Sequence, residues 1–474
     1  MNDIVPLPFW LFSILAIFAA LGFVQFVFAP GVRWFLRRRV NRAIDQLNTR
    51  LKLSIQPIKL TRRQTLVDQL LYDADVVSAV EAHAEEEGIS RAEAMNKAET
   101  YAREIVPAFS AYAYFAIVTR IARWLSHFVY RVRLGYADED KIAAVGKDAT
   151  VVFVMNHRSN MDYVLVTYLA STSASLSYAV GEWARVFLLE NLIRSMGAYF
   201  IRRNSRNALY RKVLSRYVRM ATRFGVTQAV FPEGGLTRDG LLRPPKLGLL
   251  SYMVSDFNPD TDKDIVFVPV GLNYDRVIED RILTGPAQAE IDGRAFRVSI
   301  SKSLAFIGRM IARRVRGKLY RYGYACVSFG SPISLKEWLS KNKQDKEKIV
   351  ESDINDLGVE LMAQIGVAIP VLPVSLIASI LLEGVSVDTI TPDDDGLDEL
   401  QLKAKTSALI AELEAAGAHV HIPRQDLDYA ITAGLRILIL RQLITQEDGR
   451  YRANPDETLL LRYYANSIGH LRQN

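Results

Sequence analysis

The sequence predicts an α/β fold in which helices cover a central mixed sheet, with a membrane helix at the N-terminus and helical regions on both flanks. Between about 145 and 335, short apolar β-rich runs alternate with segments of helical spacing. This alternation is typical of a sheet that is covered on both faces. A separate apolar run at 4–30 contains no charged residue. The flanking segments have mainly helical apolar spacing.

The first predicted element is a membrane anchor at 1–35. Its uncharged run is longer than the roughly 20 apolar residues that cross a bilayer core. Trp10 and Trp34 lie near the two ends, and arginines such as Arg33 and Arg37 follow the run. Basic residues are retained on the cytoplasmic side and tryptophans prefer the interfaces, so this pattern predicts a single-pass anchor. A cleaved signal peptide would carry its basic residues before the apolar stretch.

A helical region is predicted at 36–125, where Ser90 and Glu93 have the spacing of a helix N-cap with an acid in the first turn. The α/β domain is predicted at 126–385, and a mostly helical C-terminal region at 386–474. The strands of the α/β domain are predicted from its apolar β-rich runs, at 149–155, 199–203, 227–232, 264–272 and 324–330.

A second long apolar run, at 365–382, is interrupted by Pro370 and Pro373. A helix that touches the membrane is one interpretation of this run. The two prolines favour a buried or interfacial helix instead.

The composition limits the class of protein. Apolar residues make up 50% of the 474 and charged residues 23%, which is close to the globular average and indicates a folded chain. The formal net charge of +7 favours an anionic partner, whether lipid headgroups, nucleic acid or phosphorylated small molecules. The single cysteine, Cys326, excludes an intrachain disulfide framework and fits a reducing compartment.

The first candidate site is "NHRSNMD" at 156–162, directly after a predicted buried strand. His157 would lie on the strand-to-helix turn and Asp162 in the first turn of the next helix. An aspartate that accepts a hydrogen bond from one imidazole nitrogen fixes the tautomer and leaves the other nitrogen free to remove a proton. On its own, this spacing favours a helix cap beside an ordinary turn histidine over a site.

Three further clusters follow predicted strands. "GAYFIRRN" places Arg202 and Arg203 at one strand end, and "FPEGGLTRDG" places Glu233, Gly234 and Arg238 at another. The third is "VFVPVG" at 266–271. Glycines let backbone amides approach an anion closely, and guanidinium groups can bind two phosphate oxygens at once.

In this order and spacing, the four clusters resemble the sequence blocks of the glycerolipid acyltransferase family. "NHRSNMDYVL", "FIRR" and "EGGLTRDGLLRPPKLG" are most similar to its glycerol-3-phosphate and dihydroxyacetone-phosphate branch, and "LLLRYYANSIGHL" at 459–471 is similar to the C-terminal region of that branch. The resemblance implies an α/β acyltransferase fold. It also implies transfer of a fatty acyl group from coenzyme A or acyl carrier protein to glycerol-3-phosphate, the first step of phospholipid synthesis.

The resemblance further implies roles for individual residues. His157 would be the general base and Asp162 would orient it. The implied substrate-binding residues come from the same blocks: Arg158, Ser159, Arg202, Arg203, Glu233, Gly234, Arg238 and Lys246. No cofactor and no metal site are expected, because the acyl donor is itself a substrate.

One departure leaves the acceptor open. The branch commonly has arginine after E-G-G, where this chain has Leu236. The alternatives are therefore acylation of a lysophospholipid such as lysophosphatidate, and a non-catalytic, membrane-tethered protein that binds anionic lipid. The expected partners are membrane lipids, the acyl donor and the acceptor, but not nucleic acid. The expected location is the bacterial inner membrane, with the catalytic domain in the cytoplasm.

Overall fold

The computed structural model describes most of the chain beyond residue 54. The described residues are 53, 55–146, 148–171, 174–181, 193–202, 205–291, 322–342, 349–383 and 396–472. Ile55–Asn474 form one compact unit. The predicted anchor at 1–35 lies outside the described residues, as does Arg203. Within the described ranges, no helix is both long enough and apolar enough to cross a bilayer.

Within the described residues, the main sheet has eight strands: β1 Arg131–Ala137, β2 Thr150–Met155, β3 Ser177–Gly181, β4 Tyr199–Ile201, β5 Gln228–Val230, β6 Ile265–Tyr274, β7 Tyr324–Phe329 and β8 Ile333–Ser334. They lie side by side in the order β1-β7-β6-β2-β5-β3-β4, with β8 paired to β6. Strands β6, β2, β5, β3 and β4 are parallel, whereas β7 runs antiparallel to β6, and β1 pairs parallel with β7. The sheet is therefore mixed, as predicted.

Helices precede, interleave with and follow these strands. In chain order they are α1 Pro57–Leu60, α2 Arg63–Leu71, α3 Ala74–Glu87, α4 Arg91–Ile105, α5 Thr119–Val129, α6 Glu139–Ala144, α7 Met161–Ala170, α8 Ala208–Arg223, α9 Gly248–Val254, α10 Asp280–Ile291, α11 Leu335–Asn342, α12 Glu351–Ala368, α13 Pro373–Leu381, α14 Glu399–Ala415, α15 Leu427–Leu440 and α16 Thr458–Asn466. A π-helical segment, Ala113–Val118, leads into α5.

Helices α2, α3, α4, α8 and α12 cover one face of the sheet, where their apolar side chains join those of Val152, Val154 and Phe267 in one core. Every residue of β2 and β6 is buried. Central strands that are covered on both faces have no polar alternation, which explains why these two were evident as continuous apolar runs. The predicted N-cap is also present, because the Ser90 hydroxyl accepts a hydrogen bond from the Glu93 amide at 3.2 Å.

The apolar run at 365–382 is divided between α12 and α13, with a break at Pro370. Every residue of α13 is buried, so the prediction of a buried segment is confirmed. Beyond it, α14, α15 and α16 accompany a small antiparallel sheet of β9 Leu397–Asp398, β10 Ile444–Glu447 and β11 Arg450–Ala453. The boundaries predicted at 125/126 and 385/386 stay predictions.

Candidate active site

The site begins where β2 ends, at the edge of the sheet formed by the carboxyl ends of its parallel strands. Asn156 fixes this end against β6: its side-chain amide donates to Leu272 O at 2.9 Å, and its carbonyl oxygen accepts from the Leu272 amide at 2.8 Å. The next residue, His157, is 1% exposed. Both strands therefore determine where the histidine backbone lies.

His157 and Asp162 are in direct contact. His157 Nδ1 lies 2.9 Å from Asp162 Oδ2, and both side chains are buried. Asp162 lies in the first turn of α7, as the sequence predicts. The same oxygen accepts from the Arg158 amide at 2.8 Å and the Ser159 amide at 3.0 Å. The aspartate therefore caps the turn and also orients the imidazole. The two interpretations of this segment, a helix cap and a site, are both consistent with the structure.

Tyr274, at the end of β6, completes the surroundings of Asp162. Its hydroxyl donates to Asp162 Oδ1. Burial raises the pKa of Tyr274 well above its usual value, and the Asp162 charge adds to the shift. The phenol therefore stays protonated and remains a donor. Both carboxylate oxygens of Asp162 are engaged, which fixes the plane of the group that orients His157.

The other imidazole nitrogen is unoccupied. His157 Nε2 is buried and has no hydrogen-bond partner among the described residues. The ring stacks on Phe231, with centroids 4.0 Å apart, and Tyr163 meets it edge-on at 5.5 Å. An unsatisfied buried nitrogen costs stability, and here it is the atom that a substrate hydroxyl would contact.

Glu233 supports the histidine from the neighbouring strand end, after β5. Its Oε1 accepts from the His157 amide at 2.8 Å, and its Oε2 accepts from the Arg243 amide at 3.2 Å. Burial raises the pKa of Glu233 from 4.5 to about 7, although these two amides and the Arg158 charge oppose the shift. Glu233 thus holds the turn between β2 and α7 by the His157 backbone, and both of its carboxylate oxygens already accept a hydrogen bond.

We expect Glu233→Gln to remove a pH dependence of stability. The folded chain holds the Glu233 proton more tightly than the unfolded chain. The resulting contribution to the free energy of unfolding is complete below pH 4.5 and is lost as the pH rises through about 7. At about 1.4 kcal/mol per pKa unit, the loss is about 3 kcal/mol. The check is urea denaturation of both proteins at about pH 5 and about pH 8. Between these two pH values, the free energy of unfolding of the wild-type chain should fall by about 3 kcal/mol more than that of the variant. A constant difference between the two proteins would contradict the expectation.

Gly234 and Lys246 lie together beside Glu233. Gly234 has φ +69°, and a Cβ on it would lie 2.6 Å from Lys246 Cδ. Only glycine suits this position, because the backbone is left-handed and the lysine stem covers it. Lys246 and Arg238 are both exposed. Two of the predicted cationic residues are therefore on the loop that contains Glu233.

Arg158 is directed away from solvent. Its side chain is 2% exposed. Its Nη1 donates to Gly240 O and its Nη2 to Ser467 O, each at 3.0 Å. Ser467 directly follows α16, so the arginine joins the turn between β2 and α7 to the C-terminal region. Its predicted contact with substrate stays a prediction, and both terminal nitrogens already have acceptors.

Ser159 contacts Glu279, an acid that the sequence motifs do not include. Its hydroxyl donates to Glu279 Oε2 at 2.7 Å, and the Asn160 amide donates to Glu279 Oε1 at 3.3 Å. Burial raises the pKa of Glu279. Glu279 therefore contacts the turn before α7 at Ser159 and Asn160, whereas Glu233 contacts it at His157.

Arg202 lies at the end of β4, three strands from β2. At about 4.8 Å per strand, this places its backbone roughly 14 Å from the end of β2. Its guanidinium makes two hydrogen bonds to Glu104, at 2.9 and 2.7 Å. The structure thus places Arg202 on the same edge of the sheet as His157 but in a pair with an acid on α4. Its role in binding phosphate stays a prediction.

A cavity of about 280 Å³ lies away from this site. Its lining includes Lys59, Phe109, Ser177 and Gly197. Because β3 begins at Ser177 and β4 begins shortly after Gly197, the cavity is at the amino ends of these strands, opposite to His157. The described residues contain no group of three or more His, Cys, Asp or Glu side chains that could hold a metal ion.

Three residues of this site were not predicted from the sequence: Asn156, Tyr274 and Glu279. Two of these residues lie in "GLNYDRVIED", which directly continues the fourth sequence block. The available signal was the appearance of polar and acidic residues at the end of a fully apolar strand. Parallel strands bring such ends to one edge of the sheet.

Comparison with known proteins identifies two segments of the chain. Residues 136–273 match the family model described as Acyltransferase, and residues 310–472 match the glycerol-3-phosphate acyltransferase C-terminal region. The glycerol-3-phosphate acyltransferase of Xylella fastidiosa (strain M23) is 29% identical over 460 residues, which cover 92% of this chain and 50% of that relative. The enzyme of the same name from Aeromonas hydrophila is 29% identical over 444 residues, covering 89% and 52%.

A solved structure, the 1-acyl-sn-glycerophosphate (LPA) acyltransferase from Thermotoga maritima, is 18% identical with a TM-score of 0.30, covering 52% of this chain and 75% of that one. The chain spans about half the length of the curated relatives it matches. The resemblance read from the four sequence blocks is confirmed: one segment of this chain matches an acyltransferase model, and the relatives it matches are named glycerol-3-phosphate acyltransferases.

Proposed function

We propose that this chain transfers a fatty acyl group from a thioester donor to a hydroxyl of glycerol-3-phosphate. The main support is the contact between His157 Nδ1 and Asp162 Oδ2 at 2.9 Å, with His157 Nε2 left without a partner in the described part of the chain. An imidazole held in this way is a general base for an alcohol. The names of the relatives support glycerol-3-phosphate as the acceptor.

In the proposed reaction, His157 Nε2 takes the proton of the acceptor hydroxyl as its oxygen attacks the thioester carbonyl carbon. Asp162 stabilises the imidazolium that forms. When the tetrahedral intermediate collapses, the carbon–sulfur bond breaks and the imidazolium returns the proton to the leaving thiol. An ester and a thiol result, so no cofactor is required.

In the proposed complex, cationic side chains on the loop that contains Glu233 bind the phosphate of the acceptor. Arg238 and Lys246 are exposed there, and an exposed cation can turn toward an anion at little cost. Arg202 and Arg203 are the further candidates from the sequence, and Arg202 would first have to share or leave Glu104. The donor would be either acyl-CoA or acyl carrier protein.

A membrane location for this chain is proposed from its sequence. The uncharged run at 4–30 and the arginines after it support a single-pass anchor. A catalytic domain on the cytoplasmic side of the bacterial inner membrane would release its lipid product next to the bilayer.

The test is an assay of the purified full chain with radiolabelled donor. Acyl-CoA and acyl carrier protein thioesters are each combined with glycerol-3-phosphate and with lysophosphatidate. We expect product from glycerol-3-phosphate. Acylation of lysophosphatidate alone would show that the acceptor is wrong, and no product with any pair would show that the proposed reaction is wrong.

Tyr274→Phe should lower kcat roughly tenfold, which corresponds to about 1.4 kcal/mol, the scale of one buried hydrogen bond. The KM for the acceptor should change little, because the hydroxyl contacts Asp162 and not the substrate. Tyr130→Phe is the matched control: it removes another buried hydroxyl, which donates to Arg276 O at 2.8 Å. Steady-state kinetics of both variants check this. A rise in KM at constant kcat for Tyr274→Phe would contradict the positioning role.

A further inference from the structure

One helix near the site has an exposed apolar surface. On α5 and the last turn before it, Ile117, Ile121 and Trp124 are 43%, 47% and 59% exposed. Their spacing of four and three residues places them in one stripe along the helix. We call these three side chains the apolar stripe. The inward side of α5 carries Ala122 and Val129, and the row of the stripe becomes buried one turn later at Phe128, whose ring stacks on Trp124 with centroids 5.1 Å apart.

A basic surface borders the apolar stripe. Arg120 and Arg123 are both exposed. At about 100° per residue, they lie on the arc of the helix next to the stripe. The wider segment at 105–137 contains four arginines and neither aspartate nor glutamate. This surface therefore has apolar and cationic side chains in adjacent rows, and its own segment supplies no carboxylate to neutralise it.

The helix with the stripe is linked to the catalytic helix. Helix α5 packs against α7, where His127 Nε2 lies 3.1 Å from Tyr168 Oη. Tyr168 follows Asp162 on α7 by about 9 Å along the helix axis. A partner that binds the apolar stripe would therefore lie close to the element that holds the general base.

We propose that the apolar stripe, with Arg120 and Arg123, inserts into the interfacial region of an anionic lipid bilayer. A helix with a cationic polar side and an exposed Trp and Ile stripe lies in the plane of the interface, with its apolar face about 5–10 Å deep. Arginines near the surface are attracted by anionic lipid headgroups. Tryptophan is enriched where one side meets hydrocarbon and the other meets water. This contact is separate from the anchor predicted at 4–30.

The experiment uses the full chain in vesicles of phosphatidylglycerol and phosphatidylethanolamine. An environment-sensitive fluorophore is attached to Ile121→Cys or, in a second protein, to Ile117→Cys. The native Cys326 can remain, because it is buried and burial raises its pKa to about 12, which keeps the thiol unreactive. Leu400→Cys is the matched control, since Leu400 is an apolar residue on α14 that is 77% exposed. Nitroxide-labelled lipids act as quenchers.

We expect blue-shifted emission and strong quenching at positions 117 and 121, stronger for a nitroxide near the headgroup than for one at the bilayer centre. Position 400 should show neither effect. Equal quenching at positions 121 and 400 would overturn the proposal. A blue shift without quenching would also overturn it, because it would indicate a second copy or another protein on the stripe.

Charge reversal tests the lipid class. Arg120→Glu combined with Arg123→Glu should reduce quenching at position 121 in the anionic vesicles. Unchanged quenching would contradict the assignment to anionic lipid. All of these readouts are independent of activity, so His157→Ala should retain the quenching even though it is expected to slow acyl transfer strongly. Failure of the membrane contact is therefore distinguishable from failure of the proposed function.

Discussion

His157→Ala should lower the rate of acyl transfer by about 10²–10⁴-fold, the contribution typical of a positioned general base. The loss should be in kcat, because the imidazole acts on the reacting hydroxyl as the transition state forms. The chain should stay folded. Asp162 would still accept from the Arg158 and Ser159 amides and from Tyr274, and the truncation removes the buried nitrogen that has no partner in the described structure.

The measurement is initial rate against acceptor concentration, with circular dichroism and thermal denaturation of the same samples. His419→Ala is the matched control, because His419 stacks on Tyr136, a residue of the edge strand β1, with ring centroids 4.1 Å apart. A folded His157→Ala protein with activity within tenfold of wild type would disprove the assignment of the base. Loss of activity in both variants would mean that the effect is not specific to His157.

The sequence predicted the central strands and the contact between His157 and Asp162 because both signals are local. Strands β2 and β6 are buried along their whole length and were evident as continuous apolar runs. Strands β1 and β3 were not predicted. On β1, arginines interrupt the apolar pattern because this strand is at the edge of the sheet, with only part of it buried. Its sequence resembles a surface segment.

The residues that contact Asp162 and Ser159 from β6 and the segment after it were not predicted, because they are distant in sequence. Tyr274 is 112 residues from Asp162, and Glu279 is 120 residues from Ser159. Arg202 was predicted as a cation for phosphate, and its pair with Glu104 is formed across 98 residues. The spacing of a motif indicates which residue types are near one another along the chain. It does not indicate which acid or hydroxyl from a distant segment will contact the motif residues in the folded protein.

Arg158→Met should lower the free energy of unfolding by about 3 kcal/mol, because two buried carbonyl groups lose a charged donor. These acceptors, Gly240 O and Ser467 O, belong to the loop after β5 and to the end of α16. The two segments are also in close contact at the backbone. Gly240 has φ +83°, and a Cβ on it would lie 1.9 Å from Tyr463 O. One side chain thus holds three segments together beside His157.

Urea denaturation and steady-state kinetics together decide the role of Arg158. If Arg158 only holds these segments together, the variant should have a lower denaturation midpoint, a lower kcat and a nearly constant KM for the acceptor. A substrate-binding arginine predicts the reverse: a raised KM with unchanged stability. Arg223→Met is the control, because Arg223 is 61% exposed and its ion pair with Asp262 is worth about 1 kcal/mol or less. If the first result is found, the C-terminal region affects catalysis through Arg158. The region would fix the position of the turn that contains His157 without contributing a group to the reaction itself.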